Sequence, residues 1–352
     1  MKRLLLSVLI TIGILLLLLS QISLKDLSTL LFNADPLWTL LGALGYLLTI
    51  FFRALRYKWL IHSKKIPVPD LFRISVFYNF SLMVLPSKLG ELSYPYFLNR
   101  LCGMNMTEGF ASLIASRVYD LFTILVIFLL GSIGFQSLFK INVFVVILLV
   151  ALLFGLTFFA LFYMSDLLKF FSNALGKISH RIGGKKNKPF QWTQRKMNEM
   201  AEDFYAIKAR RTYLPVTVTS LVAWMTAFWM FYALMKGFGV SLTFSKVIFG
   251  STVAIVANAL PISGLGNWGI LEAGWTAGFL LVGLSKVEAI TTGFGVHIIV
   301  FMTGAAASLI CWGTLNLHRH KQHSPSPNLS NSGPQLGEGL SFNRKDWIKP
   351  SG

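Results

Sequence analysis

The sequence predicts an all-α polytopic membrane protein: about six transmembrane spans plus two re-entrant broken-helix hairpins, arranged as an inverted-topology repeat. Three observations predict it. The chain has 352 residues and is 54% hydrophobic, with a mean hydropathy of +0.63, a composition that places it among integral membrane proteins. Apolar runs close to the ~20 residues that cross a ~30 Å hydrocarbon core recur along it. Two further apolar regions are broken, one by Pro86-Ser87-Lys88-Leu89-Gly90-Glu91 and one by the turn from Pro261 through Gly264 and Gly266 to Gly269.

Lys2-Arg3 precedes the run Leu4 to Gln21, read as a first span because no small-residue cleavage site follows it. Ser23 to Pro36 is an outer segment. Leu37 to Ile61 is the second span, and Arg53, Arg56, Lys58, Lys64 and Lys65 around its end place that end in the cytosol. The first broken region enters from that side. Val68 to Leu85 is interrupted by Arg73, Asn79 and Ser81, and Leu92 to Leu101 is too short to cross. Met106 to Ile133 is the third span and Val143 to Met164 the fourth, joined by a loop with a single charge, Lys140.

Residues 165–212 form a polar loop with eleven Lys or Arg against four Asp or Glu. It is either a topology determinant held against anionic lipid or a docking site for a soluble partner. Glu199 to Arg211 has the pattern of an amphipathic surface helix. Leu214 to Met235 is the fifth span, Thr243 to Leu284 the second broken region, and Lys286 to Leu315 the sixth span. The expected layout is a first span and outer segment (1–36), a transmembrane domain (37–317) and a disordered polar tail (318–352). Both termini are expected in the cytosol of a bacterial or archaeal cell, with the chain multi-pass in its inner membrane.

The net charge of +18 would point to nucleic acid in a soluble protein. Here the basic residues cluster at the ends of apolar runs, and no nucleic-acid motif is visible. Cys102 and Cys311 set no disulfide framework and are expected as free thiols. The six histidines are scattered, so neither a metal site nor a cofactor is expected.

The two broken regions resemble each other. Pro86-x-x-Leu89-Gly90 corresponds to Pro261-x-x-x-Leu265-Gly266, and Gly103 to Gly109 corresponds to Gly283 to Ala289. Asn105-x-x-Glu108 and Ser285-x-x-Glu288 both fit a capping box. In this register Arg117 falls opposite His297. One break is entered from the cytosol and the other from outside. Such repeats place a substrate site between broken helices near the midplane.

Ionisable groups inside an apolar region mark a functional site by default. Lys88 and Glu91 beside Gly90 either bind a phospholipid headgroup or form a salt-bridged elbow. Arg117 and Asp120 share a helical face. Either they make a phosphate site, or they neutralise each other, or Asp120 neutralises Arg53 or Arg56. Gly264 and Gly266 mark close backbone packing or a lipid path. His297 is either a packed, hydrogen-bonded side chain or a proton relay. Trp268 and Trp275 are expected as interfacial anchors.

Arg53-x-x-Arg56-Tyr57-x-Trp59, Asn79 with Pro86-Ser87-Lys88-Leu89-Gly90-Glu91, Arg117-Val118-Tyr119-Asp120, and Pro261 with Ser263-Gly264-Leu265-Gly266 and Glu272 carry a family resemblance. Over most of residues 37–316 the chain resembles the flippase-like membrane domain of lysylphosphatidylglycerol synthases. That family commonly has arginine at the position of Lys88, and Glu272 stands farther from Gly266 than its pattern implies. The soluble aminoacyl-transferase domain of the full-length synthases has no counterpart here. The resemblance therefore implies lipid translocation rather than lysyl transfer. Its expected partners are membrane lipids, an anionic phospholipid or lipid phosphate, and a second copy in a homo-oligomer. The expected headgroup site is Lys88, Gly90, Glu91, Arg117, Asp120, Gly264, Gly266 and Glu272, with Arg53, Arg56, Asn79 and His297 around it. A membrane-embedded enzyme acting on a lipid and a non-transporting scaffold are the alternative functions.

Overall fold

The computed structural model describes residues 12–86, 89–132, 143–181, 188–259 and 268–323. Every regular element among them is helical. Lys88, Gly264, Gly266, Lys140, the start of the first span, the glycine–lysine turn before Lys188 and the tail from 324 lie outside the described residues. The chain divides into two compact units, Met1–Cys311 and Trp312–Gly352. The second is described over 312–323 only, as helix.

α1 (Ile12–Leu19) and α2 (Leu24–Phe32) are bent by 82° at a short break. Ser23 starts α2 with a capping box: its hydroxyl accepts from the Asp26 amide and the Asp26 carboxylate accepts from its own. α3 (Pro36–Leu60) opens on Asp35, whose carboxylate accepts from the amides of Leu37 and Trp38, with Pro36 at the first helical position. Leu37, Leu40, Leu44, Leu48 and Phe51 stand exposed along one side of α3, while Gly42, Gly45, Tyr46, Thr49 and Ile50 are buried. An exposed apolar row at helical spacing is at home in lipid, where it has no water to order.

α4 (Val68–Val84) ends where Pro86 begins to constrain the chain. Leu85 is extended, at φ −82° and ψ 139°, as a residue before proline prefers. A 3-10 turn follows at Leu89–Leu92, then α5 (Ser93–Cys102). α5 stops at Gly103, whose φ of +66° is the left-handed cap that glycine takes without penalty. α6 (Met106–Ser132) is the predicted third span. The predicted fourth lies in α7 (Val143–Arg181), whose N-terminal half is described only in part.

The segment expected as a polar loop is largely helical. α7 runs on to Arg181, and α8 (Lys188–Ala209) packs back against it. Ala201 and Phe204, one turn apart, are the buried stripe of α8. Periodic apolar residues such as these make a helix of a segment whose overall composition is polar.

α9 (Tyr213–Gly237), α10 (Phe244–Ala259), α11 (Ile270–Leu281) and α12 (Lys286–His323) complete the order. Ser285 caps α12 with Glu288, as its pattern predicts. The matching box at Asn105 and Glu108 does not form, because Glu108 turns instead to the backbone amides of His62 and Ser63. Among the described residues four helices, α3, α6, α9 and α12, are long and apolar enough to cross a bilayer, and the bent α1–α2 pair makes up to five.

Small residues let these helices meet closely. A Cβ on Gly45 would lie 3.2 Å from the Met230 Cα, so α3 and α9 touch almost backbone to backbone. α10 and α11 meet the same way. A Cβ on Gly274 would lie 2.9 Å from the Ala254 Cα, and one on Gly278 would overlap the Gly250 carbonyl. This is the small-residue packing by which helices associate in lipid. Trp275 and Phe279 fill the space beside that seam, both buried. Trp275 is thus no interfacial anchor: its indole N–H donates to Thr292 Oγ1 at 3.2 Å inside the core. Cys102 and Cys311 are not in a disulfide.

Candidate functional site

Three helices bring the basic and acidic residues of the first half together. Arg56, one turn before the end of α3, is 1% exposed. A guanidinium there has to be matched in charge and in hydrogen bonds. Its Nη1 donates to Asp120 Oδ1 at 2.6 Å and its Nη2 to Oδ2 at 3.2 Å, a two-pronged pairing. Ser116 and Ser220 Oγ accept the other two Nη protons, while the buried Nε–H has no hydrogen-bond partner among the described residues. Asp120 also accepts from Trp224 Nε1 at 2.8 Å. Of the options open in the sequence, Asp120 therefore neutralises Arg56. It does so across α3, α6 and α9, and Arg117 Nη1 stands 3.8 Å from it.

Arg117 faces a different carboxylate. Its Nη2 donates to Glu91 Oε1 at 2.7 Å and to the Tyr78 hydroxyl at 2.5 Å, and that hydroxyl donates to Glu91 Oε2 at 2.6 Å. The three side chains close a triangle from α4, the 3-10 turn and α6. Gly90 sets its geometry: a Cβ there would lie 2.7 Å from the Leu82 Cα, so only glycine lets the turn lie flat on α4. Tyr57, Tyr78 and Tyr94 wall the triangle, with Tyr57 and Tyr94 stacked at 4.2 Å. The ring of Tyr78 lies 5.8 Å from the Arg117 guanidinium. Unlike Arg56, this pair is open: Arg117 is 41% exposed and Glu91 29%.

Arg53 completes the group. It donates to Asn79 Oδ1 at 3.2 Å and sits 5.2 Å from the Trp224 ring centroid. Asn79 is held in turn by its own donation to the Ser75 carbonyl. Among the described residues the group holds three guanidinium groups (Arg53, Arg56 and Arg117) and two carboxylates (Asp120 and Glu91). It is one negative charge short.

The second half builds a smaller pair. Glu272, in the first turn of α11, accepts from the Gly269 amide at 2.7 Å. Its other oxygen lies 2.5 Å from His297 Nδ1 on α12. Both side chains are buried, and Trp268 stacks on the imidazole at 3.9 Å. Trp268 is a lid on that pair rather than a free interfacial anchor. Among the described residues the two groups have no residue in common.

A family model described as lysylphosphatidylglycerol synthase TM region matches residues 4–308. The chain belongs to this family. A comparison with curated proteins finds no match. Members of the lysylphosphatidylglycerol synthase TM region family are membrane proteins related to lipid chemistry. The helices of this chain are apolar enough to serve as such a domain.

Within that family frame, sequence reasoning missed three things. Tyr78 bridges Arg117 and Glu91, yet a tyrosine on an apolar helix carries no signal of its own. Trp224 and the serines at 116 and 220 dress Asp120 and Arg56 from two other helices. His62, Glu108 and Asp203, which are distant in sequence, converge at the end of α3, where one ligand atom from each lies within 4.8 Å of the others.

Proposed function

We propose that the chain moves the phosphate-bearing headgroup of an anionic phospholipid, or of a lipid-linked intermediate, between leaflets. The observation that carries this reading is the charge count at the first group: three guanidinium groups against two carboxylates among the described residues, with Arg117 open to the surroundings. A lipid phosphate supplies the missing negative charge. The Arg117 fork suits two phosphate oxygens. Glu91 competes for the same guanidinium and so releases what Arg117 takes up.

The element lengths support an inverted repeat for this task. α3 and α9 have 25 residues each, α4 and α10 have 17 and 16, and α5 and α11 have 10 and 12. Each half then carries a carboxylate at the break or just after it, paired with a base on the following helix: Glu91 with Arg117, and Glu272 with His297. Here α4–α5 and α10–α11 are the re-entrant hairpins and enter from opposite faces. The excess of Lys and Arg around the end of α3 and in residues 165–212 supports a cytosolic side for those segments, and for both termini, at a cell membrane.

The test is wild-type protein in vesicles with a tail-labelled anionic phospholipid and a membrane-impermeant quencher. Quenching should pass beyond the outer-leaflet fraction, and faster for anionic than for zwitterionic lipid. Quenching that stops at the level of protein-free vesicles contradicts the reading. A covalently altered lipid in the extract makes the site an enzyme's instead.

A further inference from the structure

We propose that His62, Glu108 and Asp203 form a binding site for one divalent transition-metal ion of the zinc class. The proposal does not rest on lipid transport. The three residues come from three elements: His62 from the turn after α3, Glu108 from the first turn of α6, and Asp203 from α8. His62 Nε2 lies 3.1 Å from Asp203 Oδ1 and 3.6 Å from Glu108 Oε1. Zinc takes nitrogen and oxygen ligands at ~2.0–2.2 Å in a tetrahedron, which sets neighbouring donors roughly 3.4 Å apart. Both edges are near that spacing before any ion is present.

Two further observations point to a ligand. Asp203 Oδ2 is buried without a hydrogen-bond partner, and a buried carboxylate oxygen needs a proton, a water or a cation. Glu108, 2% exposed, is aimed by the backbone amides of His62 and Ser63, at 2.7 and 2.9 Å on Oε1. Outer hydrogen bonds of this kind orient metal ligands. Two carboxylates match the charge of a divalent ion. Arg210, whose guanidinium donates to the Ile61 carbonyl, adds one positive charge at the edge. An imidazole in the set favours zinc, copper, nickel or iron over magnesium and calcium, which prefer oxygen alone.

Without the ion, His62 is hydrogen-bonded to Asp203. The hydrogen bond to Asp203 raises the His62 pKa, burial opposes it, and the charge of Glu108 adds to it. With the ion, α8 is pinned to the ends of α3 and α6. Those two helices carry Arg56, Arg117 and Asp120.

The test uses the full chain in detergent, stripped with chelator and titrated with Zn2+ by calorimetry. The wild type should bind one ion per chain, undisturbed by excess Mg2+. His62→Ala and Asp203→Asn should each weaken binding by at least ~10-fold. The visible spectrum of Co2+-loaded wild type, which needs no variant to fold, should show the intense bands of a four-coordinate ion. A wild type without saturable binding, variants that bind as tightly as the wild type, or a six-coordinate aqua-like cobalt spectrum each overturn the proposal.

Discussion

Asp120→Ala is expected to abolish recovery of folded protein. Asp120 receives three donors, two from Arg56 and one from Trp224, and Arg56 is almost fully enclosed. Breaking a buried ion pair from one side leaves the other charge uncompensated and costs roughly 3–5 kcal/mol. A whole domain is stable by only about 5–15 kcal/mol. The variant should therefore aggregate on detergent extraction, as read by size-exclusion chromatography. Arg56→Met combined with Asp120→Leu removes both charges and keeps the volume, and should recover most of the folded peak. Recovery will not be complete, because the Trp224 indole N–H loses its acceptor. A folded Asp120→Ala, or a double variant worse than the single, would show that the pair does not hold α3, α6 and α9 together.

Arg117→Ala is the second large effect, and it falls on activity rather than on folding. Arg117 is partly open, and removing it leaves Glu91 with its hydrogen bond from Tyr78. A charge-assisted hydrogen bond is worth about 1.5–3 kcal/mol. Loss of that contact with a phosphate should slow lipid movement roughly 10- to 100-fold while the chromatographic profile stays that of the wild type. Arg117→Lys keeps the charge and loses the fork, so it should restore only part of the rate. Glu91→Gln should separate the two steps. Without the competing carboxylate, anionic lipid binds more tightly to Arg117 but leaves it more slowly. Unchanged movement in Arg117→Ala would remove the headgroup role from this triangle.

The long helices were legible in the sequence because a run of apolar residues of bilayer length has few other outcomes. The ends of α4 and α5 were legible too, since Pro86 and Gly103 act on their own backbones. Partner choice was not. Arg117 and Asp120 lie three apart on one helix, and the sequence left Asp120 open to Arg117, Arg53 or Arg56. Their real partners are chosen by tertiary approach: glycines at 42 and 45 let α3 close on α9, and this brings Arg56 and Trp224 to Asp120. The register that set His297 opposite Arg117 could not show that each would face a glutamate. Trp275 was misplaced because tryptophan suits an interface, and the glycine seam of α10 and α11 that shelters its ring shows only in three dimensions. The helicity of 165–181 and of 188–198 was hidden by charge, since composition speaks before periodicity, whereas the pattern from Glu199 on was legible. His62, Glu108 and Asp203 have no local pattern, because three helix ends and faces must meet before they form a group.

We propose that a lipid headgroup passes the triangle of Tyr78, Glu91 and Arg117. The most direct test is a phospholipid carrying a photoreactive group on the headgroup, irradiated with the reconstituted protein and mapped by mass spectrometry. Adducts are expected on α4, the 3-10 turn and α6 around these three residues, diminished by unlabelled anionic lipid and lost in Arg117→Ala. Adducts confined to the outward leucines of α3, with none near Glu91 or Arg117, would contradict it.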